Sequence, residues 1–264
     1  MQFSGSWAVI LGGSSGFGFA TVEKLARHGM SIAVLYRETA IIERPLKKKF
    51  ATIAEANGVN ILPFNINALD LNGPTSFLEK FNETVGKKNC VKLVLHAIAR
   101  GNLKPLNAGD VTGDELSNDD IRFTTYAMAT SMLDWVRVLI KAGLFQDDAR
   151  IIGLTSEGAH KYWEGYAAVS IAKASLESLA TYMAVEFGKL GLKTNVIQAG
   201  ITETASLKKI PGSEKLIQIA TERNPLGRAT RPEDVANVIY LLCTKEAAWI
   251  NGSLIHVDGG EHCK

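Results

Sequence analysis

Tyr166 and Lys173 are the two side chains whose types and spacing most directly suggest chemistry. On a helix, seven residues turn the chain through about 700° and advance it by about 10.5 Å, so both side chains point to nearly the same face. A tyrosine can donate a proton or a hydrogen bond to a substrate oxygen, and a neighbouring ammonium favours the phenolate form. The pair therefore predicts proton donation or oxyanion binding, although a packing tyrosine and a surface lysine would give the same spacing.

A glycine-rich segment, Gly12-Gly-Ser-Ser-Gly16-Phe-Gly18, lies between an apolar run and the start of a helical pattern. Glycines allow a sharp turn and a close approach of the backbone to a ligand. The N-terminus of the following helix offers free N–H groups and a positive dipole to a pyrophosphate. The segment predicts a dinucleotide site, and a tight turn that binds nothing is the alternative. The binding residues predicted here are Gly12, Ser14, Ser15, Gly16, Phe17 and Gly18.

The residues at the end of the second predicted strand decide which dinucleotide binds. An acidic side chain there would accept a hydrogen bond from a free ribose 2′-hydroxyl, whereas an arginine suits a 2′-phosphate. The chain has Tyr36-Arg37 at this place, and Arg37 predicts NADPH in preference to NADH. A solvated surface arginine is the alternative, and Glu38, one residue further on, keeps NADH open.

These residues must be positioned by strands and helices, which alternate along the whole chain. Apolar runs predict seven strands, at 7–11, 31–36, 60–64, 91–95, 150–154, 193–197 and 253–257. Helical patterns predict helices at 19–28, 44–57, 73–85, 118–142 and 232–242, and one more that follows the fifth strand and ends at residue 187. Several strands are apolar on both faces, as in a parallel sheet covered by helices. The predicted fold class is α/β: a single-domain Rossmann fold over 1–264, with a seven-stranded parallel sheet, helices on both faces, and an edge position for the strand that contains Pro63.

The composition excludes several classes of protein. Lys and Arg total 29 against 27 Asp and Glu, so the formal net charge of +2 lacks the basic surplus of a nucleic-acid-binding protein. A hydrophobic content of 46% is typical of a globular protein with a full core. Three distant cysteines predict a reducing compartment without a disulfide framework or metal cluster. No apolar run reaches the length of a membrane span and no signal peptide is evident, so we expect a cytoplasmic protein that binds neither membrane nor metal.

The combination of motifs resembles the short-chain dehydrogenase/reductase superfamily over nearly the whole chain. The glycine loop, the Tyr166–Lys173 helix and the closing Ile255-His-Val-Asp-Gly-Gly260 carry this resemblance. The ordinary branch has its tyrosine four residues before the lysine, where this chain has Val169. A spacing of seven resembles the divergent branch, the enoyl-acyl carrier protein reductases of bacterial fatty acid synthesis.

This resemblance implies NADPH-dependent reduction of the 2,3-double bond of a trans-2-enoyl thioester. Tyr166 would stabilise the enolate oxygen, and Lys173 would bind nicotinamide ribose hydroxyls. Many enoyl reductases carry a second aromatic hydroxyl ten residues before the tyrosine. This chain has Ser156 at that position, which is the spacing of the ordinary branch's catalytic serine. Tyr162 is the other candidate for the second hydroxyl. The catalytic residues so implied are Tyr166, Lys173 and Ser156. The further cofactor-binding residues are Asn65, Ile66, His96, Ala97, Ile98, Lys173, Gly200, Ile201, Thr202 and Thr204.

The segment 203–223, after the sixth strand, is interpreted as a lid over an acyl chain. Its apolar face comprises Leu207, Ile210, Leu216, Ile219 and Ala220, and its lysines Lys208, Lys209 and Lys215 could face an acidic carrier protein. An ordinary amphipathic surface helix is the alternative. The resemblance further implies an acyl thioester, on acyl carrier protein or on coenzyme A, as the partner, and a homotetramer.

Two other functions stay open. A ketone or aldehyde reductase would use Tyr166 as proton donor and Ser156 to orient the carbonyl. A cofactor-binding sensor without turnover is the alternative of another class, although the Tyr166–Lys173 pair argues against it.

Overall fold

A computed structural model describes residues 1–109, 115–204, 207–209 and 213–264. Seven parallel strands form one sheet in the order β3-β2-β1-β4-β5-β6-β7. The strands are β1 Trp7–Leu11, β2 Ser31–Tyr36, β3 Ile61–Asn65, β4 Val91–His96, β5 Phe145–Ser156, β6 Leu192–Ala199 and β7 Leu254–Val257. This sheet confirms the predicted Rossmann fold, and Pro63 lies in an edge strand as expected, because its missing N–H would break a central ladder.

Helices cover both faces of the sheet. They are α1 Gly16–Arg27, α2 Ala40–Asn57, α3 Gly73–Val85, α4 Asn118–Thr125, α5 Ser131–Lys141, α6 Ala167–Glu186, α7 Ser213–Arg223 and α8 Pro232–Cys243. Helices α1, α2 and α8 contribute to the apolar core on one face, and α3, α5 and α6 to the core on the other. Strand β1 is buried along its whole length, which explains why its sequence is apolar without alternation. Within the described ranges, no helix is both long and apolar enough to cross a membrane.

The predicted helix over 118–142 is interrupted. A π-helical turn, Tyr126–Thr130, separates α4 from α5. The Ser131 hydroxyl donates to the carbonyl of Ala127 at 3.3 Å within this turn. Such turns insert one extra residue into a helix and often occur beside functional sites. Here the turn carries Met128, which faces the cavity described below.

Asp148, near the start of β5, is the centre of an ionic cluster at the edge of the sheet opposite the glycine loop. It accepts hydrogen bonds from Lys92 at 2.8 Å, from Lys193 at 2.7 Å and from the fully buried Arg150 at 2.5 and 3.1 Å. Burial acts to raise the pKa of Asp148, but the hydrogen bonds from Arg150, Lys193 and Lys92 outweigh it and hold this pKa well below its usual range. The cluster therefore stabilises the fold through the ionised carboxylate.

We expect Asp148→Asn to lower the free energy of unfolding at pH 7 by about 1–3 kcal/mol, because the change leaves buried cationic donors without a charged acceptor. The folded-state pKa lies below the unfolded one, so this stabilisation is present above about pH 4 and is lost as the pH falls further. Urea denaturation at pH 7 and at pH 3.5 measures both effects. Asp147→Asn, at the exposed neighbouring position, is the control; equal losses in the two variants would contradict the assignment.

Candidate active site

The loops that follow β1, β4, β5 and β6 meet at one edge of the sheet, where parallel strands present their carboxyl ends to ligands. Two adjoining cavities open there. One lies against the glycine loop, and the other contains Tyr166, Lys173 and Ser156. The two cavities share part of their walls, namely Phe17, Ala97, Ile98, Ala99 and Thr204. A ligand that is bound by the glycine loop can therefore extend to the tyrosine.

The glycine loop has room for a ligand only because it carries no side chains at its tightest points. Gly12 has a φ of +92°, and a Cβ there would lie 2.7 Å from the carbonyl oxygen of Ala97. A Cβ at Gly18 would lie 2.2 Å from the carbonyl oxygen of Gly12. Helix α1 begins at Gly16, and no side chain caps its first N–H groups. The geometry suits a pyrophosphate, which needs close backbone approach and free donors at a helix N-terminus.

Most of the predicted cofactor residues line these cavities. The first cavity is lined by Gly12, Ser14, Ser15, Gly16, Phe17, Gly18, Arg37, Ile66, Ala97, Ile98 and Thr204. The second is lined by Lys173, Gly200, Ile201 and Thr202 together with part of the first set. Asn65 and His96 line neither of the two cavities.

Asn65 holds the backbone of Glu38. It accepts from the N–H of Glu38 at 3.0 Å and donates to the Glu38 carbonyl at 3.0 Å. The carboxylate of Glu38 in turn accepts a hydrogen bond from the Ser14 hydroxyl at 2.9 Å, beside the glycine loop. The side chain of Arg37 is exposed. An acidic group is thus fixed next to the glycine loop, at the end of β2.

His96 is a buried structural residue at the end of β4. Its Nε2 lies 3.0 Å from the hydroxyl of Ser131, which links β4 to the π-helical turn. Burial and the nearby charge of Lys173 lower the pKa of His96 to about 3, so its ring is neutral at physiological pH. It directly precedes Ala97 and Ile98, which form part of the cavity wall.

Tyr166 and Lys173 face the same cavity, as the seven-residue spacing predicts. Tyr166 stands at the N-terminal end of α6, and Lys173 lies two turns further along it. The ammonium of Lys173 donates to the carbonyl of Leu154 at 2.8 Å and is largely buried. Ser156, the last residue of β5, lies against the phenol of Tyr166, whose pKa it affects. Ser156 and Tyr166 are therefore neighbours, and Lys173 faces the same cavity.

Burial shifts the pKa values of Lys173 and Tyr166 in this cavity. Burial lowers the pKa of Lys173 to about 8, and the carboxylate of Glu177, one turn along α6, opposes this shift. Glu177 is held by the hydroxyl of Thr155 at 2.6 Å and by the ring of His160 at 2.8 Å. Burial also raises the pKa of Tyr166, and the adjacent Ser156 hydroxyl partly offsets it. A neutral phenol beside a cation can donate a hydrogen bond to an oxygen on which negative charge develops.

Gly158 keeps Tyr166 in place. A Cβ at this glycine would lie 2.6 Å from the tyrosine ring and 3.1 Å from the ring of Trp163. Its N–H donates to the Ser156 hydroxyl at 3.2 Å. The other candidate hydroxyl, that of Tyr162, is on a side chain that is 89% exposed and does not line the cavity.

The second cavity combines an apolar wall with a polar corner. Its apolar wall consists of Phe17, Leu103, Met128, Trp163, Val169, Ile201, Leu207 and Leu216. Its polar corner is made by Glu157, Asp258, Glu261 and His262, none of which the sequence reasoning selected. Glu261 accepts a hydrogen bond from the N–H of Ile201 at 3.2 Å, and burial raises its pKa. The rule that ligands bind at the carboxyl ends of strands could have pointed to the residues after β7.

The proposed lid is partly described. Leu207 and Leu216 line the cavity and Ala220 is buried, but Ile219 is 42% exposed and departs from the predicted apolar face. Ile210 and the side chain of Lys209 lie outside the described residues. Across the ranges that the structure describes, no three His, Cys, Asp or Glu side chains are grouped to hold a metal ion.

Comparison with known proteins gives consistent matches over the chain. The family model for enoyl-(acyl carrier protein) reductase matches residues 12–262. The enoyl-[acyl-carrier-protein] reductase [NADH] FabI of Aquifex aeolicus is 27% identical over 244 residues, covering 92% of this chain and 86% of that protein. The protein of the same name from Bacillus cereus is 30% identical over 188 residues, 71% of this chain and 70% of that protein. The crystal structure of the Aquifex aeolicus enoyl-[acyl-carrier-protein] reductase (NADH) has the same fold, with a TM-score of 0.84 at 24% identity over 100% of this chain and 99% of that one.

These relatives correct the predicted cofactor preference. The prediction of NADPH over NADH is wrong, because the Aquifex aeolicus and Bacillus cereus relatives are both named as NADH enzymes. The local structure offers a physical reason. Arg37, on which the prediction rested, lines the cavity with an exposed side chain, whereas the carboxylate of Glu38, which is not part of that lining, is held by Ser14 beside the glycine loop. A carboxylate there would repel a 2′-phosphate and accept a hydrogen bond from a 2′-hydroxyl.

Proposed function

The chain belongs to the enoyl-(acyl carrier protein) reductase family and is an oxidoreductase, and we propose that it reduces the 2,3-double bond of a trans-2-enoyl thioester with NADH. The observation that carries this proposal is the continuity of two cavities, one on a glycine loop and one on the Tyr166–Ser156–Lys173 group. The substrate is an acyl thioester, on acyl carrier protein or on coenzyme A.

The residues present fit a nicotinamide dinucleotide. The cradle at Gly12 and Gly18 admits no Cβ, and the first turn of α1 has uncapped N–H groups for the pyrophosphate. Glu38 would accept from the adenosine ribose, and Lys173 would donate to the nicotinamide ribose. When bound, the cofactor supplies a hydride to the β-carbon of the substrate.

Tyr166 acts on the thioester oxygen. As the β-carbon is reduced, negative charge moves onto this oxygen as an enolate, and the phenol donates a hydrogen bond where that charge develops. Ser156 assists by keeping a hydroxyl beside the phenol, and the cation of Lys173 makes the phenol a stronger hydrogen-bond donor, because a nearby positive charge favours the phenolate form. The α-carbon then takes a proton from water.

The apolar wall accommodates the acyl chain, with Leu207 and Leu216 as its outer side. We interpret 203–223 as the lid over this chain, within a single reductase domain over 1–264. The homotetramer remains a prediction from the family resemblance, and the cytoplasmic location remains a prediction from the sequence.

A second activity is favoured by one observation, the contact between Ser156 and Tyr166. Two hydroxyls side by side can bind a carbonyl oxygen, and Tyr166 could then protonate the alkoxide of a reduced ketone. Oxidation of NADH with crotonyl thioesters, measured beside a panel of ketones and aldehydes, distinguishes the two. We expect turnover with the enoyl thioester; turnover with ketones alone would favour the second activity, and tight NADH binding without any turnover would indicate a sensor.

We expect NADH to give a kcat/KM at least about tenfold higher than NADPH, and Glu38→Gln to reduce this ratio about tenfold, because it removes the negative charge that opposes a 2′-phosphate. Enoyl reduction with each dinucleotide at one moderate salt concentration measures the ratio. Glu55→Gln is the matched control, since this carboxylate is exposed further along α2 and does not line the cavity. Equal or better use of NADPH by the wild type would overturn the assignment of Glu38.

A further inference from the structure

Arg223, the last residue of α7, connects three parts of the chain. Its guanidinium donates to both carboxylate oxygens of Glu157, at 2.8 and 3.2 Å, and to the carbonyl of Glu261 at 3.1 Å. Glu157 follows Ser156 directly, and Glu261 bonds the loop after β6 through Ile201. One side chain thus joins α7, the C-terminal part of the segment 203–223, to two walls of the cavity.

We propose that the Arg223–Glu157 pair is a positioning device, which anchors the C-terminal end of α7 to the loop that carries Ser156 and thereby holds Leu216 over the substrate cavity. This inference rests on the proposed function. Arg223 does not touch the reacting atoms in this proposal; it acts through Glu157 and through α7.

The spacing on α7 supports the anchor. Leu216, Ala220 and Arg223 are separated by four and three residues, so they lie on one face of the helix. Leu216 lines the cavity, Ala220 is fully buried, and Arg223 reaches Glu157. The apolar and the ionic contacts of α7 therefore share one surface, and the ion pair fixes the end that is farther along the chain from Leu216.

The Arg223–Glu157 pair is partly shielded from water and has a defined geometry, as an anchor requires. The side chain of Glu157 is 13% exposed and that of Arg223 is 23% exposed, so water screens their attraction only in part. A guanidinium fork on a carboxylate fixes the direction as well as the distance of the contact. Lys161, one helical turn after Glu157, donates to the same carboxylate. Arginine and lysine together hold the pKa of Glu157 below its usual range against the effect of burial, which would raise it.

Loss of the Arg223–Glu157 pair should weaken binding of the acyl thioester more than binding of NADH. Neither Arg223 nor Glu157 lines the cavity of the glycine loop, and Arg223 contacts the backbone carbonyl of Glu261 rather than the carboxylate that bonds Ile201, so NADH affinity should depend on them only weakly. Without the anchor, α7 loses its fixed end and Leu216 no longer closes the apolar wall. The carboxylate of Glu157 would then be held by Lys161 alone. The affinity for the acyl thioester should fall before the intrinsic reactivity of Tyr166 does.

Arg223→Gln tests the proposal in the full-length protein. We expect the KM for crotonyl thioester to rise about tenfold or more, the NADH Kd to stay within about twofold, and amide hydrogen exchange of 213–223 to accelerate. Arg223→Lys, which keeps the charge but loses the fork, should be intermediate. The matched control is Arg228→Gln, because Arg228 makes a similar two-bond contact with Asp234, at 2.7 and 2.9 Å, outside the cavity; its KM and exchange should be those of the wild type.

If Arg223 only stabilises the fold, Arg223→Gln will lower the melting temperature without changing the KM. Amide hydrogen exchange of α7, measured relative to the rest of the chain, will also be unchanged. That result would overturn the proposal. The same holds if Arg223→Gln and Arg228→Gln behave alike. A wild type that does not oxidise NADH with any enoyl thioester would refute the proposed function instead. The anchor would then be judged by hydrogen exchange alone, where unchanged protection of 213–223 in Arg223→Gln would refute it.

Discussion

Replacing Tyr166 by phenylalanine is expected to lower kcat/KM for a trans-2-enoyl thioester by about 100- to 1,000-fold, which is the cost of removing one oxyanion donor. The change removes one hydroxyl and little volume, so the ring still fits above Gly158, where the space is already tight. The loss should appear in kcat as well as in kcat/KM, because the hydrogen bond strengthens only as charge develops on the oxygen. The NADH Kd should stay within about twofold.

Steady-state kinetics and NADH titration of Tyr166→Phe measure both quantities. Tyr162→Phe is the control, because it removes the same hydroxyl from a side chain that is 89% exposed. Val169→Tyr should not rescue Tyr166→Phe, since a hydroxyl three residues along points about 60° away around the helix. Near-normal activity of Tyr166→Phe together with an inactive Tyr162→Phe would contradict this assignment.

The fold could be predicted from the sequence because its signals are local. A buried parallel strand such as β1 is apolar on both faces, and Pro63 marks an edge strand by its missing donor. The π-helical turn Tyr126–Thr130 could not be predicted, because its residues continue the helical pattern of both neighbours. The turn is recognised in the structure through its backbone and through the contact from His96 to Ser131, which are 35 residues apart.

The site was predictable only where its geometry is local. The Tyr166–Lys173 pair follows from the helical repeat, and the glycine loop from its place between a strand and a helix. The Arg223–Glu157 pair joins residues that are 66 apart in the chain, so no local spacing indicates it. The cofactor preference failed for a similar reason: Arg37 and Glu38 are adjacent in sequence, and the hydrogen bond from Ser14, 24 residues away from Glu38, determines which of the two is fixed.

Lys173→Met is expected to impair both binding and turnover, unlike Tyr166→Phe. The ammonium would contact the ribose before the reaction and make Tyr166 a stronger hydrogen-bond donor during it, so the NADH Kd should rise about tenfold and kcat/KM should fall about 100- to 1,000-fold. Methionine has a similar length and no charge. The fold should survive, because the buried cation is itself unfavourable: burial lowers the pKa of Lys173 to about 8.

The same pKa gives the pH dependence of the wild type. Below about pH 8 Lys173 is charged, and above it the cation is lost, so kcat/KM should fall as the pH rises through this value. Tyr166 does not cause this fall in kcat/KM, because burial raises its pKa further above pH 8. A pH profile from 6 to 9.5 should show this fall in the wild type and in Lys189→Met, which removes an exposed lysine after α6, but not in Lys173→Met. If the fall persists in Lys173→Met, another group causes it, and the electrostatic role of Lys173 is wrong.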